Sequence, residues 1–223
     1  TQGTTATGDI ARDYASKLSV AWKGPLWEFG AMYRQLGDNF TPGTGFVQRK
    51  GIRHLYATAG LRPQVHWGPI QFLSPSVNIQ RYASLTGTLE TREIEAQLGT
   101  EFRDGSSATL NVTNHFEAVT KAFKVGAATV QPADYKFTSR TISYGTSQGR
   151  PLSASLNVGY SGYYGGTNRS VGGRVLGRVG DRAIIDLSAT TNRIKLPGQA
   201  VANASAYTAN LDYFFSTSVV VSG

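Results

Sequence analysis

Residues 93–117 read EIEAQLGTEFRDGSSATLNVTNHFE. Ile94, Ala96, Leu98, Thr100 and Phe102 alternate with Glu93, Glu95, Gln97, Gly99 and Glu101. After residues 103–106 the pattern returns, with Ala108, Leu110, Val112, Asn114 and Phe116 set against Thr109, Asn111, Thr113, His115 and Glu117. Successive side chains of a strand point to opposite faces of its sheet, so each segment predicts a strand with one apolar and one polar face. Each runs to about ten residues, longer than the usual five or six of a globular sheet and close to the nine to eleven a tilted strand needs to cross a bilayer. The stretch predicts neighbouring strands of an antiparallel up-and-down transmembrane β-barrel.

Working outward, the same alternation returns along the chain. Leu18, Val20 and Trp22 oppose Lys17 and Ser19; Trp27, Phe29, Ala31 and Tyr33 oppose Glu28, Gly30 and Arg34; Leu55, Ala57, Ala59 and Leu61 oppose His54, Thr58 and Arg62. Leu152, Ala154, Leu156, Val158 and Tyr160 oppose Ser153, Ser155, Asn157 and Ser161. Val171, Val175 and Val179 oppose Arg174 and Arg178; Ala183, Ile185 and Leu187 oppose Asp186 and Ser188; Tyr207, Ala209, Leu211 and Tyr213 oppose Thr208, Asn210 and Asp212. Residues 77–85 and 135–146 alternate less well. This spacing predicts about eleven strands and the start of a twelfth at Val219. Odd-numbered junctions are brief (23–25, 103–106, 147–151, 180–182, 216–218). Several even-numbered ones are long (37–51, 118–134, 195–204), the sorting expected of short periplasmic turns and longer external loops. Aromatic residues gather at strand ends, among them Trp22, Trp27, Tyr33, Tyr160, Tyr163 and Tyr164, where rings with a polar handle suit the headgroup level.

Composition bounds the alternatives. Charged residues are only 16% of the chain, below the quarter typical of soluble domains, yet no long apolar run exists for a transmembrane helix and mean hydropathy is -0.23. Cysteine is absent, which removes disulfides and thiolate zinc sites. A net charge of +8 invites a nucleic-acid reading, but the cations are scattered singly over many strands, so nucleic acid is not expected as a partner. Outer-membrane lipid is. The organisation expected is a polar segment, 1–12, and a barrel, 13–223, cut at both ends, with the rest of the wall in further sequence or another chain, because an open strand edge is not tolerated in hydrocarbon.

One loop carries a distinctive string: Asn39-Phe40-Thr41-Pro42-Gly43-Thr44-Gly45-Phe46-Val47-Gln48-Arg49, then Gly51-Ile52-Arg53. It resembles a pattern found in a family of bacterial outer-membrane barrels of unknown function, usually fronted by a domain like a family-nine carbohydrate-binding module. The resemblance implies an outer-membrane location and no established activity. Gln48 stands where that family more often has Pro, and the carbohydrate-binding-like domain has no counterpart in these residues. Read physically, Phe40, Phe46, Arg49 and Arg53 form either an inward constriction or an external loop resting on the rim, its cations meeting lipopolysaccharide phosphates.

The charged residues predicted to face the lumen are Lys17, Glu28, Arg34, Arg62, Glu93, Glu95, Glu101, His115, Glu117, Arg174, Arg178, Asp186 and Asp212. A lumen lined by both signs, with cations in excess, suits small polar or anionic solutes; side chains pairing across it would instead fill it. For catalysis, His54, His66 and His115 are far apart and have no metal-ligand spacing. His115 with Asn111 and Ser143 sketches a Ser-His-Asn hydrolase, and Glu93 with Glu95 loosely a glycosidase pair. No cofactor and no enzymatic activity are predicted. The function expected is a pore or translocating channel, with a filled membrane anchor as the alternative and a soluble adhesin or lectin domain as a third.

Overall fold

The computed structural model describes residues 14–41, 49–125, 128–180, 182–216 and 219–222. Phe46 and most of the loop string, the first thirteen residues, and residues 217–218 lie outside this set. The chain is all-β, with 77% strand. In chain order the strands are β1 (Ala15–Lys23), β2 (Trp27–Leu36), β3 (Ile52–Leu61), β4 (Gln64–Trp67), β5 (Ile70–Ser84), β6 (Leu89–Phe102), β7 (Ser107–Val119), β8 (Phe123–Val125), β9 (Ala128–Val130), β10 (Ala133–Gly145), β11 (Leu152–Tyr163), β12 (Gly166–Val179), β13 (Ala183–Lys195), β14 (Ala202–Ser216) and β15 (Val219–Ser222).

Twelve of them form one antiparallel sheet in the order β1-β2-β3-β5-β6-β7-β10-β11-β12-β13-β14-β15, each beside its neighbour in sequence apart from two insertions. β4 prolongs β3 past a break at Arg62-Pro63 and pairs β5; β8 and β9 form a separate hairpin. The break follows from Pro63, which has no N–H to give a ladder; its carbonyl still accepts from Leu73 N at 3.2 Å. The expected up-and-down order is therefore present. The path is open, with β1 and β15 at its ends and not paired to each other.

One rim of the sheet carries short connections: 24–26, Gly68-Pro69, 103–106, 146–151 and 180–182. The opposite rim carries 37–51, 85–88, 120–132, Tyr164-Gly165 and 196–201. We call these the turn rim and the loop rim. At the turn rim Gly105, with φ of 80°, closes a turn in which Asp104 Oδ1 accepts from Ser106 N at 3.0 Å and from the Ser106 hydroxyl, and Oδ2 accepts from Arg150 at 3.2 Å. The bonds from Ser106, helped by the Arg150 charge, hold the Asp104 carboxyl below the usual range. A folded pKa lowered in this way adds stability above the unfolded value and loses it as pH falls through the folded one. The Asp104 side-chain carboxyl resonance is therefore expected to titrate below ordinary aspartates in NMR, and a midpoint at or above the normal value would refute the turn geometry.

The two faces differ in an unusual way. Leu98 (48% exposed), Leu110 (42%), Leu156 (51%), Leu187 (49%) and Leu211 (50%) share one face, and no second layer of sheet or helix covers them among the described residues. The polar alternates are the more sheltered set: in β11, Leu152, Ala154 and Leu156 are exposed while Ser153 is buried and Ser155 half-buried. A sheet that curls towards its polar side produces this pattern. Soluble domains bury the apolar face instead. Among the described residues no large side chain is fully buried.

The apolar belt runs obliquely to the hydrogen-bond ladders. Val20 shares a row with Ala31, Ala57, Ile79 and Ile94. Leu98, four residues nearer the turn rim than Ile94, begins the row Leu110, Ile142, Val158, Val171, Thr191, Ser205. Leu211, the belt residue on β14, lies six residues beyond Ser205. The belt thus slides by about one residue, ~3.3 Å, per strand spacing of ~4.8 Å, a strand tilt of about 35°. At that tilt the stretch from Val171 to Val179 spans about 22 Å along the belt normal, near the ~25 Å apolar band of outer-membrane barrels.

Candidate functional site

Twelve of the thirteen charged residues expected on the wet side share the sheltered face by register, and Arg62, in the break after β3, joins them through Glu101. Their partners are on the same wall. Arg62 Nη2 reaches both Glu101 oxygens, at 2.8 and 3.0 Å, with its guanidinium over the Phe72 ring. Arg174 forks onto Asp186, Nε to Oδ1 at 2.7 Å. Asn78 donates to Glu95 at 3.1 Å, and Arg178 donates to the carbonyls of Gln148 and Arg150, tying down a turn. Each of these contacts joins near neighbours on the wall, and none of them crosses to a distant strand. A groove of about 990 Å³ lies in front of the wall, lined by Lys17, Glu28, Tyr56, Thr58 and Asn78 among others.

The charge balance of this face differs from the expectation. Of the thirteen, five are Lys or Arg and seven are Asp or Glu. Arg53, Arg81, Arg92, Lys136, Arg140, Arg169, Arg193 and Lys195 occupy the apolar face, so the chain's cationic excess does not lie on the polar one. Alternation alone could have found this: Arg81 is in step with Val77 and Ile79, and Arg169 with Val171.

His115 sits at the centre of a hydrogen-bonded row. Its Nδ1 is 3.3 Å from Glu93 Oε1, its Nε2 is 3.0 Å from Ser139 Oγ, and Ser139 Oγ is 2.7 Å from Ser161 Oγ. The partner is thus Ser139, not Ser143, which pairs with Thr109 further along the strands; Asn111 lies opposite Thr141. Carboxylate, imidazole and hydroxyl stand in the order a nucleophilic site uses. But Ser139 lies mid-strand between β7 and β11, where backbone N–H groups are spent in the ladders, and no pair of them remains to hold an oxyanion. The row stiffens the wall. Glu93 and Glu95 are each engaged by a different partner, His115 and Asn78.

The loop read either as a constriction or as resting on the rim is only partly placed. Arg49 does reach the sheltered side, donating to Thr91 Oγ1 at 3.0 Å and stacking over Tyr82 at 5.0 Å; Phe40 is half-buried; Arg53 lies on the apolar face. The inward fold is made by a different segment. In the β8-β9 hairpin, Ala128 and Val130 are 2% exposed and pack with Leu196 against Tyr135, Tyr163 and Ile194, all on the sheltered face at the loop rim. The Gln199 amide clasps Thr129, accepting from its N–H at 2.7 Å and donating to its carbonyl at 2.8 Å.

Tyr164 wedges this cluster. Its φ of 45° and the 81° of Gly165 make a type I′ turn, where Asn-Gly is favoured and a bulky residue is strained by about 1–3 kcal/mol. Edge contacts with Phe123, Tyr135 and Tyr163 and a hydrogen bond from its hydroxyl to Glu117 offset that strain. Burial first, then the bond to the Glu117 carboxylate, push its pKa well above the ordinary phenol value. Tyr163 and Tyr164 therefore brace the hairpin, while Tyr160 alone of the three faces outward. A second hollow of about 330 Å³ lies beside His115 and Ser139, bounded by Tyr163 and Tyr164. No known protein family, curated protein or solved structure matches the chain.

Proposed function

We propose that the chain builds the wall of a bacterial outer-membrane β-barrel that works as a pore for small polar solutes, its loop-rim mouth narrowed by the β8-β9 hairpin. The observation that carries this reading is the inverted exposure of the sheet: apolar side chains on the open face, polar ones on the sheltered face. Water as the only solvent gives no reason for it; hydrocarbon outside and water inside does. The oblique belt, and Trp22, Trp27 and Trp67 at the turn rim, fit the same surroundings. The resemblance of the Asn39–Arg53 string to an outer-membrane barrel family agrees with this location. In a bilayer the free edges of β1 and β15 need a partner strand, from each other, from more of the same protein or from another chain.

With Lys23, opposite Glu28, and Arg49 added to the five cations among the thirteen, the sheltered face sets seven cations against seven carboxylates, which gives no support to anion preference and predicts little charge selectivity. Planar-bilayer recording tests both points. Discrete conductance steps with a reversal potential near zero under a salt gradient are expected. A chain that inserts and stays silent is a filled anchor displaying its loops, and one that stays folded in water without detergent refutes the membrane reading.

A further inference from the structure

On the apolar face two pairs of arginines stand directly opposite each other across neighbouring strands: Arg81 on β5 against Arg92 on β6, and Arg169 on β12 against Arg193 on β13. Like charges facing across a ladder repel and destabilise a sheet. None of the four forms an ion pair among the described residues, and Arg92 Nε is buried without a hydrogen-bond partner. The Arg169 guanidinium rests over the Tyr160 ring, 5.8 Å from its centroid, and Arg140 lies on the other side of that ring in the same row. Each pair sits at the loop-rim edge of the belt, one outward-facing step beyond Ile79 and Ile94 in the first case and Val171 in the second. The turn-rim edge of the same face has tryptophans in place of cations.

We infer that each arginine pair is a clamp for a phosphate group on a membrane glycolipid whose acyl chains lie along the belt, so that the loop rim marks the phosphate-rich leaflet. A phosphate accepts from two guanidinium forks at once, which turns the repulsion within each pair into shared attraction, and Arg suits this geometry better than Lys. Free phosphate has no use for the apolar strip beside each clamp; a phosphorylated amphiphile covers both. Four strand spacings separate Arg92 from Arg169, about 19 Å of wall, so the pairs are two separate clamps. The inference rests on the membrane reading above.

Insertion is scored first, by protease protection of the full chain in phosphatidylcholine vesicles. Detergent-solubilised protein is then titrated with bis-phosphorylated lipid A under native mass spectrometry. Wild type is expected to retain two copies, Arg81→Gln/Arg92→Gln and Arg169→Gln/Arg193→Gln one each, with about tenfold weaker binding at the altered clamp, and Arg174→Gln on the polar face to retain both. Dephosphorylated lipid A is expected to bind at least tenfold more weakly, and millimolar inorganic phosphate not to compete. Unchanged retention in the paired variants, equal binding of the dephosphorylated lipid, or displacement by free phosphate overturns the clamps. A chain that inserts but shows no preference overturns them alone; one that fails to insert overturns the pore reading as well.

Discussion

Leu156→Arg is expected to abolish assembly of the chain in phospholipid vesicles, while Asn157→Arg, the very next residue, leaves assembly intact. Leu156 is half exposed on the apolar face, opposite Tyr144 on β10 and Gly173 on β12 and in line with Val158. An arginine on the lipid face near the bilayer midplane costs about 2–4 kcal/mol, a large share of the marginal stability of a folded chain. Asn157 faces the sheltered side, between Ser143 and Gly172, where a guanidinium meets water and seven carboxylates share the face. The effect inverts what a water-soluble sheet would show if its apolar face were solvent-exposed, since Leu156→Arg would there improve solubility and leave folding alone. Urea midpoints of the vesicle-assembled protein, followed by heat-modifiable gel mobility, measure the difference. Equal midpoints for the two variants would remove lipid as the solvent of that face.

Most of the wall was legible because a period of two is a local signal, and β6 keeps it over residues 93–102, β7 over most of 107–117 and β11 over 152–161. It was hardest to read in β5 and β10, and the register explains why. In β10 the outward positions near the loop rim hold Lys136, Thr138 and Arg140, while Tyr135 points inward beneath the hairpin and Phe137 points inward against Tyr163 and Tyr164. Polar-out and aromatic-in reverses the pattern over half the strand. β5 carries Arg81 and Tyr82 in the same relation, and it begins at Ile70, well before the predicted Val77, with Pro75 inside it. Pro normally argues against a central strand; here it falls just past Ser76, where the pairing with β3 ends. Which serine meets His115 was not readable, because cross-strand register across a long connection depends on how residues 120–132 fold. The same segment hid the inward hairpin: Gln199 and Thr129 are far apart in sequence, and no periodicity links them.

Removing that hairpin is the change expected to alter transport most. Excising residues 121–131 and joining the flanks with a short Gly-Ser linker takes away Ala128 and Val130, which with Leu196 pack over Tyr135, Tyr163 and Ile194, and Phe123, which meets Tyr164. The β7-β10 ladder runs from Val119↔Ala133 to Ser107↔Gly145 and owes nothing to β8 or β9, so the wall is expected to persist. Conductance is set by the narrowest section of a water-filled barrel, and opening it at the loop rim is expected to raise single-channel conductance roughly two- to threefold. Gln199→Ala gives a graded version: it cuts both bonds to Thr129 while leaving the apolar contacts, so brief openings to the larger level are expected against an otherwise unchanged baseline. The excised chain also leaves Tyr164 without Phe123, but its bond to Glu117 and its contact with Tyr135 remain to hold the strained turn. An excised chain that assembles normally and conducts at the wild-type level would place the constriction elsewhere and leave the hairpin a purely structural brace.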